Sequence, residues 1–117
     1  MLAGTVDAFS LRREVPADYR AVERLTSEAF QSAEVASGDE ALLAHLLRSI
    51  DTFVPELDFV AEVAGQVVGN IMYTRSRVIG DGAAWDTITF GPLSVAPTHQ
   101  RRGVGTALVG HTLALTA

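Results

Sequence analysis

The chain has 117 residues, 48% hydrophobic and 20% charged, with nine basic against fourteen acidic side chains and a net charge of −5 at pH 7. A chain of this length fits one domain and buries a substantial core, roughly 60–70% of its unfolded surface. Every basic residue is arginine and cysteine is absent, which excludes a phosphate-loop lysine, a Schiff-base lysine, disulfides, thiolate metal sites and a cysteine nucleophile. The acidic balance argues against a nucleic-acid partner. Residues 1–10 lack a basic start and carry Asp7 where a leader needs an apolar run. No stretch reaches the ~18 uncharged apolar residues of a membrane span. Three separated histidines make no metal pattern. The expectation is a soluble cytoplasmic protein with no metal and no membrane partner.

In chain order, Phe9–Glu14 alternates weakly and ends at Val15-Pro16, which predicts a short strand. Beyond Pro16 the period turns helical. Val22, Leu25, Ala29 and Phe30 share a face, with Asp18 and Glu23 towards the end where the dipole favours acids. A loop over Gln31–Gly38 leads to Asp39, an N-cap for a second helix. Leu42, Leu43, Leu46, Leu47 and Ile50 form one apolar stripe along it, and Pro55 closes the region. From Asp58 the period shortens to two. Phe59–Val63 and Val67–Ile79 flank Ala64-Gly65-Gln66, a hairpin connection that makes the two strands antiparallel neighbours. Gly80-Asp81-Gly82-Ala83 is a second turn, followed by a strand from about Trp85 to Val95, a polar loop, and a helix from about Gly103. The order β-α-α-β-β-β-α predicts a mixed α/β fold in one domain, without repeat or linker.

Chemistry concentrates in Gly91-Pro92-Leu93-Ser94-Val95-Ala96-Pro97-Thr98-His99-Gln100-Arg101-Arg102-Gly103-Val104-Gly105-Thr106. A strand runs into a polar loop, and two glycines open a helix. Glycine costs ~1 kcal/mol against alanine inside a helix. Bare backbone at Gly103–Thr106 lets the amides approach an anion at the positive end of the helix dipole. Arg101 and Arg102 sit where that dipole disfavours cations, which makes sense if a phosphate or pyrophosphate lies between them and the helix. The plainer alternative is a surface loop with solvated arginines and turn glycines.

Gln100-x-x-Gly103-x-Gly105, preceded by Leu93-Ser94-Val95-Ala96-Pro97, resembles the acetyl-CoA-binding motif of the GNAT N-acetyltransferase superfamily. Within it, Gly69-Asn70-Ile71-Met72 and Phe90-Gly91-Pro92-Leu93-Ser94-Val95 look most similar to the branch of acetyltransferases resembling YhbS. The resemblance covers about residues 9–117. It implies acetyl-CoA as cosubstrate and a small-molecule or peptide amine as acceptor. Leu93, Ser94 and Val95 would line the pantetheine, while Gln100, Arg101, Arg102, Gly103, Val104, Gly105 and Thr106 would cradle the pyrophosphate. The two early helices and the Phe30–Gly38 loop would form the acceptor groove. The family continues with a fifth strand splayed from the fourth, closing strands and a further helix that often supplies an acidic tyrosine. Those elements have no counterpart before Ala117, so the resemblance implies a GNAT-like fold lacking its C-terminal part, and either an enzyme or a truncated or degenerate domain that binds acetyl-CoA or CoA, or dimerises, without turnover.

On a helical wheel Val104, Leu108 and Leu115 share one face of the last helix, while Val109 and Leu113 lie opposite. A helix apolar on both sides calls for cover, from later residues or from another subunit, and a homo-oligomer is expected. Glu62 and Asp86 are candidate general bases, but each reads first as a solvated strand residue. Tyr73 can face the acceptor or pack; Trp85 and Phe90 read as core or groove wall. His45 reads as solvent-facing, His99 as a loop residue and His111 as packed. A nucleotide-phosphate binder of another fold is disfavoured by the antiparallel hairpin ahead of the glycine loop.

Overall fold

The change from helical to alternating hydrophobic period near Asp58 marks where most of the sheet is built. A computed structural model describes residues 9–30 and 40–116; the predicted Gln31–Gly38 loop and the Asp39 cap lie outside the described residues. The elements run β1 (Ser10–Arg13), α1 (Tyr19–Phe30), α2 (Glu40–Leu47), β2 (Phe59–Val63), β3 (Gln66–Gly80), β4 (Ala83–Val95) and α3 (Val104–Thr116), with single 3-10 turns at Pro16–Asp18, Pro55–Leu57 and Pro97–His99. The predicted element order is therefore present, in a four-stranded sheet ordered β1-β2-β3-β4. All neighbours are antiparallel.

Both tight hairpins turn through two residues in the left-handed region. Ala64 (φ 49°) and Gly65 (φ 81°) join β2 to β3, and Asp81 (φ 51°) and Gly82 (φ 75°) join β3 to β4. That geometry matches the twist of the flanking strands and explains Gly65, Gly82 and Asp81, while Ala64 holds a conformation its Cβ disfavours. β3 and β4 pair from Gly69↔Val95 out to Gly80↔Ala83, with a register shift between Ile71 and Tyr73. Gly91 and Pro92 lie on β4 opposite that shift, between Phe90, which pairs with Tyr73, and Leu93, which pairs with Ile71. The outer part of this hairpin extends beyond the shorter β1 and β2 and leaves Val78, Ile79 and Trp85 exposed.

The sheet is covered on both faces. Val104 and Leu108 of α3 pack on Phe59, Ala61, Val68, Ile71 and Tyr73. Val22 of α1 and Ala44 of α2 pack on Val60 and Met72 of the other face. Gly69 sets how closely α3 approaches, since a Cβ there would lie 2.8 Å from Val104 Cγ1 and 3.1 Å from Leu108 Cδ1.

Two expected apolar faces are corrected by the structure. In α2 and just past it, Leu42, Leu43, Leu46 and Ile50 remain 43–55% exposed, and among the described residues of the helix Ala44 is the fully buried one. The helix is rotated because Arg48, just past its end, reaches into an ionic cluster described below, and small Ala44 allows close approach to α1. In α3 the inward ridge is Val104, Leu108 and Thr112, four residues apart, while Leu115 is exposed. The helix by then has passed the start of β2, where His111 packs edge-on against Phe59 with ring centroids 4.8 Å apart. Buried Thr112 takes a polar partner instead, the Tyr73 hydroxyl at 2.6 Å.

Candidate functional site

The strand edge and the helix start that the sequence singles out are adjacent in space. Ala96 N–H donates to the Val68 carbonyl at 2.8 Å. With Gly69↔Val95, Asn70↔Ser94 and Ile71↔Leu93 in register, antiparallel alternation turns the main-chain groups of Ser94 towards β3 and those of Leu93 and Val95 outward. Among the described residues no strand pairs with that outer edge. The side chain of Gln100 caps one of its groups, donating from Nε2 to the Val95 carbonyl at 3.1 Å. Left facing outward are the Leu93 N–H, the Leu93 carbonyl and the Val95 N–H.

The loop then winds into α3. Arg101 (φ 64°) and Gly103 (φ 85°) both adopt the left-handed region. Nothing lies within 4 Å of where a Gly103 Cβ would be, so conformation rather than crowding accounts for glycine there. Gly105 differs: its Cβ would make ordinary contacts, 3.7 Å from Val95 Cγ2 and 3.9 Å from Leu93 Cδ2. The helix lies against the strand edge at this point. Ala107 N–H donates to the Gly103 carbonyl at 2.9 Å; the amides of Val104, Gly105 and Thr106 precede it, in the first turn that has no intrahelical acceptors. An open groove of about 550 Å³ runs between strand and helix, lined by Leu93, Gly105, Thr106, Val109 and Gly110. Arg101 and Arg102 are exposed beside it.

The singled-out residues divide by what they can present. Leu93, Gly105 and Thr106 line the groove with their own atoms. Val104 is buried in the core, so its amide is its available group. Ser94 is buried on the opposite face, where its hydroxyl donates to Thr26 Oγ1 at 3.3 Å. Gln100 is committed to Val95. The remaining polar candidates lie apart from the groove. Glu62 accepts from Arg12 at 3.2 Å, two strands away. Asp86 is exposed beside Arg77 at 3.3 Å, seven positions from Leu93, or roughly 23 Å of strand at ~3.3 Å per residue. Tyr73 is buried against Thr112 and Phe90. His99 bonds its neighbour Thr98, and His45 sits beside Glu23.

Two ionic clusters have no signature in the sequence, because their members lie far apart in it. Arg12 bonds Asp18 at 2.7 and 2.9 Å and Glu62 at 3.2 Å, which holds the Asp18 carboxyl below its ordinary value. The second cluster is buried beneath α2. Arg48 donates to both oxygens of Glu14, at 2.9 and 2.8 Å, and to Glu23 at 2.8 Å. Its guanidinium stacks 4.1 Å from the Tyr19 ring centroid. Burial and the adjacent Glu14 carboxyl push Asp58 up to about 8. Asn70 Nδ2 donates to Asp58 at 3.0 Å and to the Phe59 carbonyl at 2.8 Å, while its Oδ1 is buried without a hydrogen-bond partner.

A family model for the acetyltransferase (GNAT) domain matches residues 10–116. Among solved structures, a GNAT family acetyltransferase from Brucella melitensis in complex with acetyl-CoA is 31% identical, with a TM-score of 0.79, covering 93% of this chain and 68% of that one. The GNAT family N-acetyltransferase YhbS from Escherichia coli, in complex with CoA, is 29% identical with a TM-score of 0.72, covering 92% of this chain and 55% of that one. The chain thus spans about two thirds and about half of these two proteins. An aminoglycoside acetyltransferase from an uncultured soil metagenomic sample, at 24% identity and a TM-score of 0.59, shares the fold. No curated protein matches. With the family model spanning nearly every described residue, the chain belongs to the GNAT acetyltransferase family.

Proposed function

We propose that this chain binds acetyl-CoA along the outer edge of β4 and the first turn of α3, and that it passes the acetyl group to an amine. The observation that carries this reading is the juxtaposition of three outward main-chain groups, on Leu93 and Val95, with the glycine-opened start of α3. A pantetheine arm carries two amides, which such an edge pairs as a strand would. A pyrophosphate suits the unpaired amides of Val104, Gly105 and Thr106, with Arg101 and Arg102 supplying positive charge beside them. Relatives carrying acetyl-CoA or CoA support the choice of ligand.

In the reaction, the amine nitrogen attacks the thioester carbonyl and the carbon–sulfur bond breaks. The thiolate leaves, and the nitrogen gives its proton to solvent. An outward N–H at Leu93 or Val95 stabilises the developing oxyanion. Orientation supplies most of the remaining acceleration, since a neutral amine held against a thioester needs little further help. The acceptor is a small-molecule or peptide amine, received near α1, α2 and the segment joining them. The exposed leucines of α2 and the exposed Leu113 and Leu115 of α3 support self-association, which light scattering coupled to gel filtration measures directly.

A second reading, a binder of acetyl-CoA without turnover, is favoured by one observation: both candidate carboxylates, Glu62 and Asp86, stand away from the groove. Calorimetric titration with acetyl-CoA, followed by an amine panel with thiol-release detection, separates the two. Heat of binding with thiol release supports the transferase, heat alone the binder, and neither disproves both.

A further inference from the structure

The cluster under α2 brings three carboxyl groups around one guanidinium. Glu14 closes β1, Glu23 comes from α1, Asp58 precedes β2, and Arg48 follows α2. Arg48 and Glu14 are almost wholly removed from solvent, with side-chain exposures of 8% and 0%. The remaining polar neighbours are Tyr19 of α1 beneath the guanidinium, His45 of α2 at 3.3 Å from Glu23, and Asn70 of β3 on Asp58. Glu14 receives two hydrogen bonds from Arg48, and Glu23 receives one from Arg48 and faces His45. Among the described residues Asp58 receives only the neutral amide of Asn70. The Glu14 N–H donates to the Asp58 carbonyl at 2.9 Å, one step beyond the Arg13↔Phe59 pair, so that the two carboxyl side chains are cross-strand neighbours on one face. Two buried carboxyl groups in contact do not both ionise under one cation. The pattern of donors therefore places the shared proton on Asp58, which donates it to Glu14.

Among the described residues, α2 otherwise packs on α1 and the core through few apolar side chains. Four of its neighbouring apolar side chains, Leu42, Leu43, Leu46 and Ile50, face outward, and Ala44 with half-buried Leu47 makes its apolar contact with the core. Arg48 joins the end of this helix to β1 and α1 at once. We infer that the Glu14–Asp58 carboxyl pair beneath Arg48 is a proton-operated latch on α2, closed while Asp58 keeps its proton and weakened as that proton is lost. Opening hydrates the cluster, and Asp58 then releases its proton to solvent as an ordinary carboxyl. The closed form holds one more proton than the open form between the ordinary aspartate range and about pH 8. Opening therefore becomes up to about tenfold more frequent per pH unit across that window and levels off above it.

Hydrogen–deuterium exchange of peptides covering residues 40–50 tests this in the intact chain, with rates corrected for intrinsic base catalysis. Protection of that segment is expected to fall by up to about a hundredfold from pH 5.5 to 7.5 and to level above pH 8, while residues 67–72 of β3 lose less. Asp58→Asn keeps an amide donor towards Glu14 but has no proton to lose, so its corrected protection is expected to be flat. Glu14→Gln, which leaves Asp58 without its carboxyl neighbour, is expected to shrink the slope. A flat profile in the wild-type chain overturns the latch without recourse to any variant. A loss of protection in 40–50 that β3 matches step for step overturns it too, since the opening is then global. No part of the test depends on acetyl-CoA.

Discussion

Two glycines only two positions apart, on either side of the start of α3, do different work. Gly103 holds φ at 85° in open space, so any other L-residue strains the loop. Gly103→Ala is expected to cost ~1 kcal/mol and to weaken acetyl-CoA binding by displacing the amides that follow. Gly105 has ordinary helical geometry and room for a methyl, with Val95 Cγ2 at 3.7 Å. Gly105→Ala should therefore raise the melting temperature, by the equivalent of ~0.5–1 kcal/mol of helix propensity, and leave acetyl-CoA binding intact. Gly105→Trp should fold and yet fill the groove, so that saturating acetyl-CoA no longer shifts the melting curve. If the Trp variant shows the wild-type shift, the groove beside Leu93 is not where the cofactor lies. Gln100 presents a further distinction. Its amide is occupied by Val95, so Gln100→Ala should act by freeing the Val95 carbonyl, weakening binding modestly through a looser loop.

At the scale of elements, α3 is docked by a close approach at one end and a polar contact at the other. Gly69→Val would drive a side chain into Val104 and Leu108, where even a Cβ stands at 2.8 and 3.1 Å. Overpacking of this kind costs ~1–3 kcal/mol or more, and denaturant titration should show it. Tyr73→Phe should cost ~1 kcal/mol, because Thr112 keeps its bond to the Leu108 carbonyl at 2.7 Å. These contacts also show what was legible in the sequence. The order of elements was, because period changes at Pro16 and Asp58 and the Ala-Gly and Asp-Gly turns are local signals. The glycine-opened helix was, because Gly103 and Gly105 at the head of an uncharged apolar run are a local signal. The rotation of α2 was not: it follows from Arg48 reaching Glu14, thirty-four positions away. Nor was the burial of the Ser94 side chain, which is settled by Thr26 on a helix sixty-eight positions earlier. A wheel drawn for α3 groups Leu115 with Val104 and Leu108, yet Leu115 is exposed, because the wheel carries no information about where the sheet beneath it begins.

For the molecule as a whole, two buried aspartates, one in each ionic cluster, pull stability in opposite directions with pH. Arg12 holds Asp18 below its ordinary value of 3.8, so the unfolded chain binds the proton more readily. The stability this contributes is present above about pH 4 and is lost as pH falls through the folded value. Asp58 is the reverse case, raised from 3.8 to about 8, chiefly by burial and then by Glu14. Between those limits the folded chain holds the extra proton, so stability falls as pH rises, by at most ~1.4 kcal/mol per unit, and changes no further above about pH 8. Together the two slopes place the maximum well on the acid side of neutrality, near pH 4, instead of in the neutral plateau common for small proteins. Asp58→Asn removes only the second slope, so its unfolding midpoint should match the wild type near pH 4 and exceed it increasingly from there up to pH 8. Midpoints of denaturant unfolding at half-unit steps from pH 4 to 9 give both curves. A wild-type curve that rises from pH 5 to 8 would mean that Asp58 is ionised in the folded chain, and that Arg48 serves three carboxylates at once.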